Sequence, residues 1–272
     1  MRTPVRVGAV NYLNTKPLIY QLDALAPQAK LSLAVPSQLA DQLAAGELDV
    51  ALIPVIEYFR GHGYTIVPDI AIASRGPVLS VTLFSRVPWA EIRSVALDEG
   101  SRTSSALAQI ILRERYDIVP EIRPLPLEAS ADAVEADAVL LIGDRAMKAC
   151  LPGFRFAFDL GEEWLRWTGL PFVFAVWAVR RGANLRGVDA ALQDAKNRGL
   201  ENVGAIAQAE AGNLELDAGF CRRYLETLLR FDLGPDELAG MQRFYELAIK
   251  YGLAPAGCGV RFYDDAAAAL TV

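Results

Sequence analysis

Histidine is almost absent from this 272-residue chain: the single one, His62, sits between two glycines in a stretch that reads as a surface loop. An imidazole base therefore has one candidate, and its default role is an exposed loop residue. Cysteine is scarce as well. Cys150, Cys221 and Cys258 are odd in number and widely spaced, which argues against a disulfide framework or a Cys-rich zinc site. No Walker glycine pattern, His-x-x-x-His or Gly-x-Ser-x-Gly occurs, so phosphoryl transfer, zinc hydrolysis and serine-triad chemistry lose support. Positive charge is in deficit, with 27 Lys and Arg against 33 Asp and Glu and a net charge of −6. That balance disfavours nucleic acid and anionic membrane surfaces as partners. The most apolar stretch, Leu170–Val179, is too short to cross a bilayer as a helix, and no apolar leader precedes the first strand. The expectation is a soluble, cytoplasmic protein.

What is present is a 53% hydrophobic chain, rich enough to bury a core in one large domain or two lobes. Val5–Val10 has the β-branched content of a buried strand. It runs into the amides Asn11 and Asn14 around Tyr12, and then into a helix expected over Pro17–Leu22, with Asn14 or Thr15 as its cap. A strand Leu31–Val35, a helix capped by Ser37 and ending at Gly46, and a strand Val50–Ile53 complete a βαβαβ unit, so a parallel sheet is expected. Tyr64–Val67 and Ile70–Ser74 read as two further strands, and Pro77–Ser85 as a long extended crossing.

The pattern then restarts. Val95–Asp98 is a strand, Glu99–Thr103 a polar turn and Ser104–Tyr116 an amphipathic helix. Strands Glu121–Leu127 and Ala138–Ile142 flank a helix from Ser130, and another helix follows Gly143-Asp144-Arg145. Phe172–Val179 is a second extended crossing. Beyond it the chain reads as helices over Val188–Ala209, Ala218–Arg230 and Pro235–Tyr251, with breaks at Gly212 and Gly234. Two α/β units and two crossings predict two lobes on a two-strand hinge. Residues 1–86 and 176–272 form lobe one with its helical tail, and residues 87–175 form the inserted lobe two.

Each lobe presents a strand-to-helix turn towards the cleft, the place where open α/β sheets bind ligands. In lobe two the turn carries Arg102, Thr103, Ser104 and Ser105. Helix N-termini hold carboxylates or phosphates without many lysines, so an acidic protein still accommodates an anion. Taken alone, Thr103 and Ser104 are more simply helix caps, as is Asp144. Ser80 on the first crossing either faces a ligand or bonds neighbouring backbone. Thr168, with Trp164 and Trp167, enters the second crossing, where aromatics are more often core than ligand platform.

Five ordered segments, "YLNTKPLIYQL", "GPVLSVTLFS", "LDEGSRTSSALAQIIL", "LLIGDRAM" and "DLGEEWLRWTGLPFVFAVW", resemble the marker segments of the chorismate dehydratases of the futalosine route to menaquinone. The resemblance spans most of the first 180 residues. It implies a periplasmic-binding-protein-like fold of type II, with two hinge crossings and a helical C-terminal tail. It also implies a lyase that dehydrates chorismate to 3-[(1-carboxyvinyl)oxy]benzoate without metal or cofactor. Carried over by motif, Asn14 and Ser80 would be catalytic, hydrogen-bonding the departing hydroxyl or orienting the substrate. Asn11, Tyr12, Arg102, Thr103, Ser104, Ser105, Asp144 and Thr168 would bind a small dicarboxylate, in a monomer or homodimer. With no convenient protein base, one of the substrate's own carboxylates is the hypothesised proton acceptor. Two alternatives stand beside this. One is a cytoplasmic or exported solute-binding protein for a small anion, against which the absent export signal counts. The other is the sister 1,4-dihydroxy-6-naphthoate synthase, whose Cys-Pro-Asn-Asp type of opening and histidine chemistry this chain lacks.

Overall fold

The protein is described by a computed structural model covering residues 3–264, so residues 1–2 and 265–272 of the expected lobe one lie outside the described residues. Its strands are β1 (Val5–Val10), β2 (Ala29–Ala34), β3 (Val50–Pro54), β4 (Thr65–Ser74), β5 (Val81–Ser85), β6 (Ser94–Asp98), β7 (Glu121–Leu125), β8 (Ala138–Ile142), β9 (Phe156–Asp159), β10 (Phe172–Val179) and β11 (Leu229–Arg230). They form two sheets, ordered β11-β4-β10-β3-β1-β2 and β7-β6-β8-β5-β9. The pairs β1–β2 and β1–β3 are parallel, as the βαβαβ reading requires. β3 is buried at every residue, which explains its unbroken apolar run. The fold class is therefore the expected one: mixed α/β, two sheets, and a helical C-terminal region.

The chain changes sheet earlier than expected at both crossings. β5 lies wholly in the second sheet, whereas β10 lies wholly in the first, antiparallel between β3 and β4. The changes fall between Ser74 and Val81 and between Asp159 and Phe172, ahead of residues 86 and 175. The first crossing is extended only from Val81, because Gly76 (φ +122°) and Leu79 (φ +58°) turn the backbone before it.

Several local expectations give way to tertiary context. Pro17 sits inside a 3-10 turn over Leu13–Ile19, and the α-helix follows only at Leu22–Leu25. The missing side chain of Gly199 allows the close packing of this turn on helix Val188–Glu201: a Cβ on Gly199 would lie 2.1 Å from the Pro17 carbonyl oxygen. Pro36, with φ preset for a helix, takes the first position of helix Pro36–Ala44, and Val35 rather than Ser37 precedes it. The two strands expected between Tyr64 and Ser74 are one, irregular at Asp69 (φ +62°), where a bulge tolerates Pro68. The helix expected from Ser130 is a single 3-10 turn, Ala131–Ala133, since Val134 is already extended.

Helix Leu160–Thr168 and strand β9 go unannounced in the sequence reading. The expected helix Val188–Ala209 breaks at Asn202, whose side chain donates to the Arg198 carbonyl at 2.8 Å, and its second part runs through Gly212 to Leu214. The segment Ala218–Arg230 holds a helix to Arg223, a π-turn over Tyr224–Leu228, and β11, which joins the edge of β4. The last helix, Pro235–Lys250, begins after Gly234 as expected.

Candidate active site between the two sheets

A cavity opens where the C-terminal end of β1 faces the start of helix Arg102–Tyr116, with an empty volume of about 520 Å³ including its mouth. Val10, Ile72, Val78, Ile142 and Phe174 supply apolar walls, and Tyr12, Asn14, Ser80, Ser101, Thr103 and Ser104 the polar groups. Among the described residues, no Lys, Arg, Asp, Glu or His lines it. Any anion held here is therefore held by hydroxyls, an amide and backbone N–H groups.

Lobe one contributes the turn after β1. Tyr12 stands at its head, and no side chain caps it; Asn14 and Thr15 lie inside the turn, with the Thr15 hydroxyl donating to Asn14 Oδ1 at 3.3 Å. The Tyr12 ring reaches across to the other lobe and packs on Gly143, where a Cβ would fall 2.9 Å from two ring carbons. Gly143 also has φ +58°, a conformation that suits glycine. Burial pushes the Tyr12 phenol well above its ordinary pKa, with help from the nearby carboxylates of Asp98 and Asp144. Asp144 is not an N-cap. Ile142 precedes its helix, and the Asp144 carboxylate instead accepts the Leu13 N–H at 3.2 Å, joining the lobes. Burial raises that carboxyl too.

Lobe two contributes the start of its 15-residue helix. Ser101, not Thr103 or Ser104, is the cap: its Oγ accepts the Ser104 N–H at 3.3 Å. The first-turn N–H groups of Arg102 and Thr103 have no intrahelical acceptor. The Thr103 hydroxyl is committed across the cleft, where its oxygen accepts the Ile56 N–H at 3.2 Å.

Ser80 reaches the cavity from the first crossing. A three-residue turn, closed by its N–H to the Val78 carbonyl at 2.6 Å, carries it. Asp159 Oδ2 accepts the N–H groups of Val78 and Leu79 at 2.8 and 2.6 Å, while Oδ1 caps helix Leu160–Thr168. Beneath Ser80 lies Tyr224 of the C-terminal region, its hydroxyl donating to Ser80 Oγ at 2.8 Å.

The structure thus gathers Tyr12, Asn14, Ser80, Thr103 and Ser104 around one cavity, with Asp144 just behind it. The other candidates lie apart. Asn11 is exposed. Arg102 points to the rim, where it forks onto Asp41 at 2.8 and 2.9 Å and approaches Glu57 at 3.5 Å. The Ser105 hydroxyl donates to the Ser101 carbonyl at 2.6 Å, in a depression on the outer side of the same helix start. The Thr168 hydroxyl donates to the Trp164 carbonyl and accepts the Leu170 N–H, finishing its own helix. Ser101, Asp159 and Tyr224 escaped the sequence reading. Asp159 had a readable signal, an Asp followed three residues later by Glu162. Tyr224 had none.

Two sheets joined by two crossings, with a partly apolar, hydroxyl-lined cleft between them, define a periplasmic-binding-protein-like α/β protein. Solved structures share the fold: protein AF1704 of Archaeoglobus fulgidus, at TM-score 0.75 and 18% identity over 92% of this chain and 98% of that one; and the periplasmic aliphatic sulphonate binding protein SsuA of Escherichia coli, at TM-score 0.64 and 18% identity over 97% and 93%. A family model described as menaquinone biosynthesis matches residues 5–250. A chorismate dehydratase of Thermus thermophilus is 32% identical over 267 residues, 89% of this chain and 94% of that protein. The chain belongs to the menaquinone biosynthesis family.

Proposed function

We propose that this protein is a lyase that dehydrates chorismate to 3-[(1-carboxyvinyl)oxy]benzoate in menaquinone biosynthesis, acting in the cytoplasm as a monomer or homodimer. The observation that carries the reading is the cavity itself, uncharged yet dense in donors and walled by apolar side chains, in a chain of this family. Chorismate is a ring with two carboxylates. Its ring suits Val10, Ile72, Val78 and Phe174, and a carboxylate suits the start of helix Arg102–Tyr116, with the hydroxyls of Ser101 and Ser104 and the free first-turn N–H groups. Among the described residues, no helix is long and apolar enough to cross a membrane.

The reaction removes the ring hydrogen on the carbon bearing the enol ether and expels the neighbouring hydroxyl. The electron pair of the broken C–H bond becomes part of the aromatic ring, and one water leaves. Among the described residues no carboxylate or imidazole lines the cavity, which supports a carboxylate of the substrate as the group that takes the hydrogen as a proton. The carboxylate then passes that proton to the leaving hydroxyl, which departs as water and leaves the carboxylate as it was at the start. Asn14 and Ser80, hydrogen-bonded to the leaving oxygen, stabilise the charge that builds on it as the C–O bond breaks ahead of proton transfer.

The test is incubation of purified protein with chorismate in excess chelator, watching for the absorbance of an aromatic product. Turnover is expected under those conditions, because no group of three or more His, Cys, Asp or Glu side chains is placed to hold a metal ion among the described residues. No aromatic product, or product only after a divalent ion is restored, would overturn the reading.

A further inference from the structure

The Tyr224 hydroxyl takes no part in the scheme above, although it touches one of the two groups the scheme depends on. The residue comes from the C-terminal helical region, 144 positions along the chain from Ser80. Its ring is 1% exposed, and it opens the π-turn Tyr224–Leu228. Such turns are rare and are frequent at functional sites. Here the turn ends the helix Ala218–Arg223 and lets the chain leave as β11.

Ser80 is pinned from every other side. Its N–H closes the turn onto Val78, and its carbonyl accepts the Gly143 N–H at 2.8 Å. Leu79 holds φ +58°, a left-handed conformation that costs a non-glycine residue about 1–2 kcal/mol. The Asp159 carboxylate keeps it there through two N–H bonds. Strain of this kind, held by the surrounding structure, clusters at working sites. With the backbone fixed, the remaining freedom at Ser80 is the direction of its hydroxyl hydrogen.

We propose that Tyr224 is a positioning residue: its O–H donates into Ser80 Oγ, occupies an oxygen lone pair, and leaves the Ser80 hydrogen aimed into the cavity. The proposal rests on the reading of Ser80 as a group that bonds the departing hydroxyl. Donation into Ser80 also polarises it, and chained hydrogen bonds strengthen one another in a low-dielectric interior. Burial drives the Tyr224 phenol far above its ordinary pKa, so it remains a donor across the working pH range.

The experiment is steady-state kinetics on Tyr224→Phe, Ser80→Ala and the double variant. Tyr224→Phe is expected to lower kcat about ten- to a hundredfold, less than loss of a direct donor, with KM within about threefold and a near-normal unfolding midpoint. The double variant should be no slower than Ser80→Ala alone, because the tyrosine acts through the serine. Full kcat in Tyr224→Phe while Ser80→Ala is impaired would overturn the proposal and leave the dehydratase reading standing. Multiplying losses in the double variant would overturn it as well. Full activity in Ser80→Ala would overturn the proposal together with the role given to Ser80, with the dehydratase reading still standing. If Tyr224→Phe fails to fold, 3-fluorotyrosine placed at position 224 keeps the shape and alters the donor. A changed kcat then supports the proposal, and an unchanged one overturns it.

Discussion

Thr103→Val separates two roles that the start of the lobe-two helix combines. Valine matches threonine in shape but cannot accept the Ile56 N–H, which is buried at this bond. An unpaired buried donor costs about 1–3 kcal/mol. Ile56 follows β3 in the first sheet's lobe and Thr103 belongs to the second, so the bond ties together the two sides of the cleft. A ligand that bridges the cleft is expected to meet the penalty of the unpaired N–H. That corresponds to roughly a 5- to 150-fold weaker affinity. Ser104→Ala removes a hydroxyl from the same wall without disturbing the Ile56 bond. It should cost about 1 kcal/mol, or roughly fivefold. Isothermal titration of both variants with an unreactive dicarboxylate analogue of chorismate provides the comparison. Thr103→Val binding as tightly as wild type, or more tightly than Ser104→Ala, would refute the reasoning.

Three further outcomes are expected. Asn14→Asp should melt normally yet lose at least about two orders of magnitude in turnover, roughly the 3 kcal/mol of a preorganised donor, because it adds a negative charge beside an anionic substrate; wild-type kcat would dismiss Asn14 from the site. His62→Ala removes an exposed ring stacked on Tyr64, and should leave kcat within about twofold and stability within about 0.5 kcal/mol; a hundredfold loss by a folded variant would make histidine the base. Burial alone would raise the Asp49 carboxyl, but hydrogen bonds from Arg6 and Arg180 outweigh it and hold the pKa at about 2. Its folded value lies below the unfolded one, so its stabilising share is complete above about pH 4 and is lost as pH falls towards 2. Discounted for partial exposure, that share is about 1–2 kcal/mol, and acid unfolding of wild type against Asp49→Asn should show it; coincident curves would contradict the assignment.

The strand-to-helix handovers were legible because each is local. β1 is apolar from Val7 to Val10 and the chain is polar from Asn11, and the helix after Ser101 announces itself by hydroxyls followed by an amphipathic run. The finer roles were not, since capping is decided by one residue's φ and ψ. Ser101 and Thr103 are the same kind of residue in sequence. In space one closes its own helix and the other reaches the opposite lobe. Leu79 carries no sign that it will adopt φ +58°, because leucine disfavours that region and only Asp159, eighty residues on, holds it there. Tyr224 is the extreme case. In an apolar helical stretch a tyrosine reads as core, and its meeting with Ser80 depends on the whole fold being complete.

The placement of β10 has a consequence for synthesis. It is the antiparallel strand between β3 and β4, so the first sheet has a gap at its middle until the chain returns from the second lobe. About 105 residues separate Ser74, the end of β4, from Val179, the end of β10. At roughly 5–20 residues per second a ribosome takes on the order of 5–20 seconds to make them. For that interval the nascent protein carries apolar strands with unpaired edges, the condition that invites association between chains. The second lobe, whose five strands are contiguous in sequence, has no such wait. It is free to fold first, leaving the lobe that began earlier to finish last.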